Sequence, residues 1–210
     1  MSNVSAKTQK LVQMGILTAM LIVFAFTPIG YLRVGAIEIT FMTIPVAVGA
    51  IILGPAAGAV LGGVFGVTSF IQCFTGSVFG SFLVGLNPWL TLITCFVPRV
   101  LCGWLTGIIF KALQKIDKTK IISYAGASLS TALLNTLFFM GSIVLFFWHN
   151  GAFTETMGQW GLPTDSVWAF LVAFVGVNGL VEAAVSFVVG AAIAKVLARF
   201  VLPRFKSKEA

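Results

Sequence analysis

Charge is what this sequence has least of. Only 6 of 210 residues are acidic and 13 are basic, against 59% hydrophobic residues. A soluble domain carries about a quarter charged residues, so these few charges cannot coat a water-soluble body of this size. The same counts exclude a disordered chain. There is one histidine, His149. An intramembrane zinc protease needs a cluster of His and acid ligands, and a membrane serine protease needs a buried Ser–His pair; neither can be assembled. No phosphate-binding loop is present, so the chain does not hydrolyse ATP itself. The reading is therefore of a protein that is not an enzyme and needs no metal or cofactor. The three cysteines, Cys73, Cys95 and Cys102, lack metal-ligand spacing. Cys95 and Cys102 are seven apart on one helix face and read as small packing residues.

What is abundant is apolar sequence. Charge-free stretches run 11–32, 39–98, 100–110, 121–154, 166–181 and 183–194. A transmembrane helix needs about 20 apolar residues, so the long stretch 39–98 must hold several helices, divided by Gly and Pro. The expected architecture is an all-α integral membrane protein, one transmembrane domain over 1–210. Its six transmembrane helices are expected at about 9–29, 39–53, 55–73, 88–113, 121–147 and 166–199. Residues 75–87 are too short and too rich in Gly and Ser for a span. With six spans, eleven of the thirteen basic residues gather on one side: Lys7, Lys10, Lys111, Lys115, Lys118, Lys120, Lys195, Arg199, Arg204, Lys206 and Lys208. The positive-inside rule then puts both termini in the cytoplasm. Three segments, 30–38, 74–87 and 148–165, become outer loops, long enough to cover an outward-facing site.

Polar groups in hydrocarbon are expensive and usually face a cavity or a partner. Arg99 follows Pro98 within the fourth span, where a charge costs at least ~2.5–3.5 kcal/mol. Its guanidinium matches a carboxylate in shape and charge; that carboxylate is either a ligand's or that of Glu182, the one intramembrane acid. Asn135 shares a helical stripe with Ser128, Thr131 and Ser142 and suits ligand amide or hydroxyl groups, or glues helices. Asn178 and Glu182 are four apart on one face of the last span. Tyr31 and Trp89 are candidates from their outer position, although Trp89, Trp148, Trp160 and Trp168 also fit an interfacial belt. In GPAAGAVLGGVFG, Gly54, Gly58, Gly62 and Gly66 recur every four residues and form a groove for another helix. Gly15 and Ala19, also four apart, make a small patch on the first span.

The chain resembles the substrate-binding (S) components of energy-coupling factor (ECF) vitamin transporters. The likeness covers nearly the whole chain: six short spans, a basic N-terminus, and ITFMTIPVAVGAIILGPAAGAVLGGVFGVTSF with its G-P-x-x-G-x-x-x-G portion. PWLTLITCFVPRVLCGW and VGVNGLVEAAVSFVVG are most similar to the pantothenate type. The resemblance implies a multi-pass protein of the bacterial cell membrane with an ECF S-component-like bundle. Such a protein binds a vitamin from outside, then joins a transmembrane coupling subunit and two ATPase subunits. It implies a docking motif Ala-x-x-x-Ala on the first helix, here Gly15-x-x-x-Ala19. Pantothenate offers a carboxylate, an amide and two hydroxyls, which Arg99 and Asn135 complement. Alternatives are riboflavin, folate or a pyrimidine precursor as ligand, or a non-transporting membrane scaffold; nucleic acid is no partner.

Overall fold

In the computed structural model, residues 5–28, 30–34, 37–117 and 121–196 are described. Helix α1 (Ala6–Ala25) starts where the Ser5 hydroxyl accepts from the Lys7 backbone N–H at 3.3 Å. It ends earlier than residue 29, because Pro28 disfavours helical geometry at the residue before it. A short antiparallel hairpin follows, β1 (Tyr31–Val34) and β2 (Ile37–Thr40), in the register Tyr31↔Thr40 and Val34↔Ile37. The expected helix over 39–53 is therefore α2 (Thr43–Leu53), 11 residues long. At 1.5 Å per residue it spans ~16 Å, about half the hydrocarbon thickness. Nine of its residues, Thr43 to Ile51, are buried, as expected for a helix apolar on all sides.

Gly54, at φ 97°, makes the turn into α3 (Pro55–Thr75), whose Pro55 occupies a first-turn position that needs no N–H. The expected outer loops at 74–87 and 148–165 are not plain loops. They hold α4 (Val78–Leu86), capped by Ser77, and α7 (Gly151–Gln159), capped by Asn150. Between them run α5 (Pro88–Ile116) and α6 (Ile121–Phe147). Asn87 caps α5 through its side-chain oxygen, which accepts from the N–H groups of Trp89 and Leu90 at 3.0 and 3.1 Å. The last long helix, α8 (Val167–Val185), continues through a π turn at Ser186–Gly190 to residue 196.

Among the described residues, four helices are long and apolar enough to cross a membrane: Lys7–Ala25, Pro55–Thr75, Pro88–Ile116 and Ile122–Phe147. Two shorter apolar helices are Thr43–Leu53 and Val167–Gly176. The glycine groove of α3 is filled from within the chain. Helix α5 runs antiparallel along it, Gly58 against Gly103 and Gly62 against the Arg99 backbone. A Cβ at Gly66 would lie 2.8 Å from the Phe96 Cα, and one at Gly107 2.6 Å from the Pro55 Cα. That backbone-to-backbone approach fixes α5 rigidly beside α3. One apolar core gathers Leu17, Leu21, Met42, Leu61 and Phe65; a second, richer in aromatics, joins Phe79 and Leu83 of α4 to Phe153 of α7 and Phe170 of α8.

Candidate functional site

A cavity of about 120 Å³ lies where α3, α4, α5, α6 and α8 meet the hairpin. Arg99 enters it from α5 and is only 7% exposed. Pro98 explains part of its posture. Having no N–H, Pro98 leaves the Thr94 carbonyl four residues earlier without its helical donor. The Arg99 Nη1 donates to that carbonyl at 2.7 Å. The guanidinium also sits over the Phe139 ring at 4.2 Å and near the Phe65 ring at 5.4 Å. Such aromatic faces hold a cation without neutralising it. Its Nε–H is buried with no acceptor among the described residues. No carboxylate of the described residues lies within the 4.0 Å of an ion pair with it.

Glu182, 6% exposed, faces the same cavity from α8. Its Oε1 accepts from the Thr40 backbone N–H at 2.7 Å, so it ties α8 to the end of β2 rather than pairing with Arg99. Asn135, 5% exposed, lines the cavity from α6, and its Oδ1 has no donor among the described residues. The Thr94 hydroxyl, outside the lining, is likewise buried without a partner among them. Buried polar atoms without partners cost ~1–3 kcal/mol each. The buried Arg99 donor and the buried Asn135 acceptor on one hollow are the complement of a polar solute. Tyr31 lines the hollow from β1, its hydroxyl 3.3 Å from that of Ser69 on α3.

Of the residues expected from sequence, Arg99, Asn135, Glu182 and Tyr31 thus come together around one cavity. Trp89 does not join them: it is 76% exposed in the first turn of α5 and is absent from the lining. The backbone of Asn178 lies in α8, while its side chain is outside the described residues, as are those of Arg33 and of every residue after 196. Gly15 and Ala19 are exposed on α1, and no atom of the described residues lies within 4 Å of a Cβ placed on Gly15. Beyond those expectations lie Phe65 and Phe139, and also Gln72, a buried amide in the wall that donates to the Ala25 carbonyl at the end of α1. Gln72 had a sequence signal, as an amide in a charge-free helix; two phenylalanines among 20 had none. The three cysteines are buried and free, as packing residues are, though on different neighbours. Cys95 meets Cys73 of α3, while Cys102 turns to the Thr131 carbonyl of α6.

Apolar helices around a small, largely apolar hollow that holds a few buried polar groups define a multi-pass membrane protein that binds a small solute. The model of the ECF transporter, substrate-specific component family matches residues 9–194, and the chain belongs to that family. It is a transporter component and not an enzyme. It is 30% identical over 203 residues to a protein of Leuconostoc mesenteroides named pantothenate transporter PanT, covering 91% of this chain and 93% of the relative. It is 31% identical over 170 residues to the pantothenic acid transporter PanT of Lactococcus lactis subsp. cremoris, covering 76% and 78% of the two chains.

Proposed function

We propose that this chain is the pantothenate-binding subunit of an ATP-driven importer. The observation that carries the substrate is Arg99: a buried guanidinium whose Nε–H has no acceptor and which no carboxylate of the described residues neutralises. An incoming carboxylate supplies the missing charge and acceptor together. Asn135 Oδ1 accepts from the amide N–H or a hydroxyl, and the free lone pairs of Glu182 accept from the other hydroxyl. The hollow must open for any of these vitamins, and least for pantothenate, the smallest. A hollow of about 120 Å³ is below the ~300–1,000 Å³ of clefts for larger ligands. Folate and riboflavin would need far more opening than pantothenate does.

The topology proposed with this is six membrane crossings in one domain over 1–210, both termini cytoplasmic. Lys7 and Lys10 begin α1, Lys111 and Lys115 end α5, and Lys195 lies near the end of α8. The packing of α3 antiparallel to α5 and the α1–α3 contact at Ala25 and Gln72 put these lysines at one end of the bundle. The cavity lies in the other half, so by the positive-inside rule it faces outward. Hairpin, α4 and α7 then cover it from outside. Delivery follows by docking on a transmembrane coupling subunit driven by two ATPases, with exposed Gly15 and Ala19 of α1 as the contact.

The test is titration of the detergent-purified protein with pantothenate, riboflavin and folate, read by calorimetry. Saturable pantothenate binding that weakens roughly ten- to a hundredfold in Arg99→Gln is expected, the loss of one charged hydrogen bond. Binding of riboflavin or folate alone would overturn the substrate; pantothenate affinity unchanged in Arg99→Gln would overturn the role of Arg99.

A further inference from the structure

Cys73 and Cys95 come from different helices and lie 22 residues apart in the chain, yet their sulfur atoms are 3.8 Å apart. Both side chains are buried and both line the cavity. Cys73 also donates to the Ser69 carbonyl of its own helix at 3.3 Å. The third thiol is placed differently: Cys102 takes no part in the lining and donates to the Thr131 carbonyl of α6 at 3.1 Å. The α3–α5 contact that holds the two sulfurs near each other is stiff. Gly62 and Gly66 of α3 rest on the backbone of α5 at Arg99 and Phe96. Bringing the sulfurs to the ~2.05 Å of a disulfide takes a shift of under about 1 Å from each. Such a bond would also disturb the site, since Cys95 lies one helical turn before Arg99 and Cys73 follows Gln72.

We propose that Cys73 and Cys95 form an oxidative modification site in the wall of the cavity. A small hydroperoxide enters through the space that ligand fills and closes the pair to a disulfide, which blocks ligand binding until a dithiol reopens it. In the first step one thiol, as thiolate, attacks a peroxide oxygen. The O–O bond breaks, a sulfenic acid forms and water leaves. The second thiol then attacks the sulfenic sulfur; the S–S bond forms, the S–O bond breaks and a second water carries off the oxygen and the proton. The two thiols lose two electrons and two protons, and hydrogen peroxide becomes two waters. The blocking of ligand rests on the pantothenate reading above, whereas the cross-link itself does not.

The full-length protein in detergent is treated with hydrogen peroxide, with and without saturating pantothenate. It is then unfolded, alkylated and mapped by mass spectrometry. Pantothenate binding is measured before oxidation, after it, and after dithiothreitol. The expected result is a Cys73–Cys95 cross-linked peptide with Cys102 still alkylated, formation slowed by pantothenate, and binding lost on oxidation and restored by dithiothreitol. Cys73→Ser should leave Cys95 with no intramolecular partner and no cross-link. Oxygen adducts on Cys73 or Cys95 without a cross-link would overturn the site, and so would a cross-linked protein that binds pantothenate as before. Cross-linking in a protein that binds no pantothenate even when reduced would support the pair and overturn the substrate reading alone.

Discussion

Arg99 takes its posture from its neighbour in the chain. Pro98 removes one N–H from α5, and the Thr94 carbonyl it leaves open is the acceptor of Arg99 Nη1. Pro98→Ala should therefore do two opposite things. The helix gains a donor and loses a ring clash, an effect of ~3 kcal/mol in a helix interior, so thermal stability should rise. The restored N–H competes for the Thr94 carbonyl, so pantothenate affinity should fall; thermal unfolding and titration of the same sample check both. Asn135→Leu separates binding from folding in a similar way. Its Oδ1 has no donor among the described residues, so stability should hold or rise. Affinity should drop by about 0.5–1.5 kcal/mol, the contribution of one neutral hydrogen bond. At this scale the sequence was informative wherever a polar group interrupted an apolar run, as at Arg99, Asn135 and Glu182. It was silent on Phe65 and Phe139, and on Cys73 meeting Cys95, because those depend on which helices pack together.

Helices of span length are visible in sequence because length and hydropathy define them. The short elements were missed for the same reason. Helices α4 and α7 have nine residues each, too few for a membrane-length window. Their starts were nonetheless written locally, in Ser77 and Asn150 as side-chain caps. The hairpin was divided between an expected loop, 30–38, and an expected helix that began at 39, although Ile-Glu-Ile-Thr alternates with a period of two and is rich in β-branched residues. The G-x-x-x-G repeat of α3 was legible as a groove, and α5 is what fills it. Gly62→Val should be among the most damaging substitutions here. A side chain there meets the Arg99 carbonyl and the Val100 backbone rather than a flexible side chain. The expected cost is at the upper end of the ~1–3 kcal/mol typical of overpacking, with pantothenate binding lost along with helix register; detergent-melting curves and titration measure it.

For the molecule as a whole, the two ends of the bundle differ in chemistry. One end carries the lysines of α1 and α5 and Lys195 of the segment that continues α8; the half beyond Arg99 carries the cavity. In the proposed reading, binding and docking use separate surfaces. Gly15→Trp should abolish pantothenate uptake in cells that hold the complete transporter while leaving the affinity of the purified chain within twofold or so, since no described side chain lies near Gly15. Loss of binding in that variant would place Gly15 in the internal fold instead. The measurement that bears most directly on the central claim pairs two ligands with two proteins. Pantothenate and pantothenol, its alcohol analogue without the carboxylate, are titrated into the unaltered chain and into Arg99→Gln. A guanidinium–carboxylate contact predicts that the unaltered chain prefers pantothenate by roughly ten- to a hundredfold and that the preference vanishes in Arg99→Gln. Equal affinity for both ligands in the unaltered chain, or a preference that survives the substitution, would contradict it.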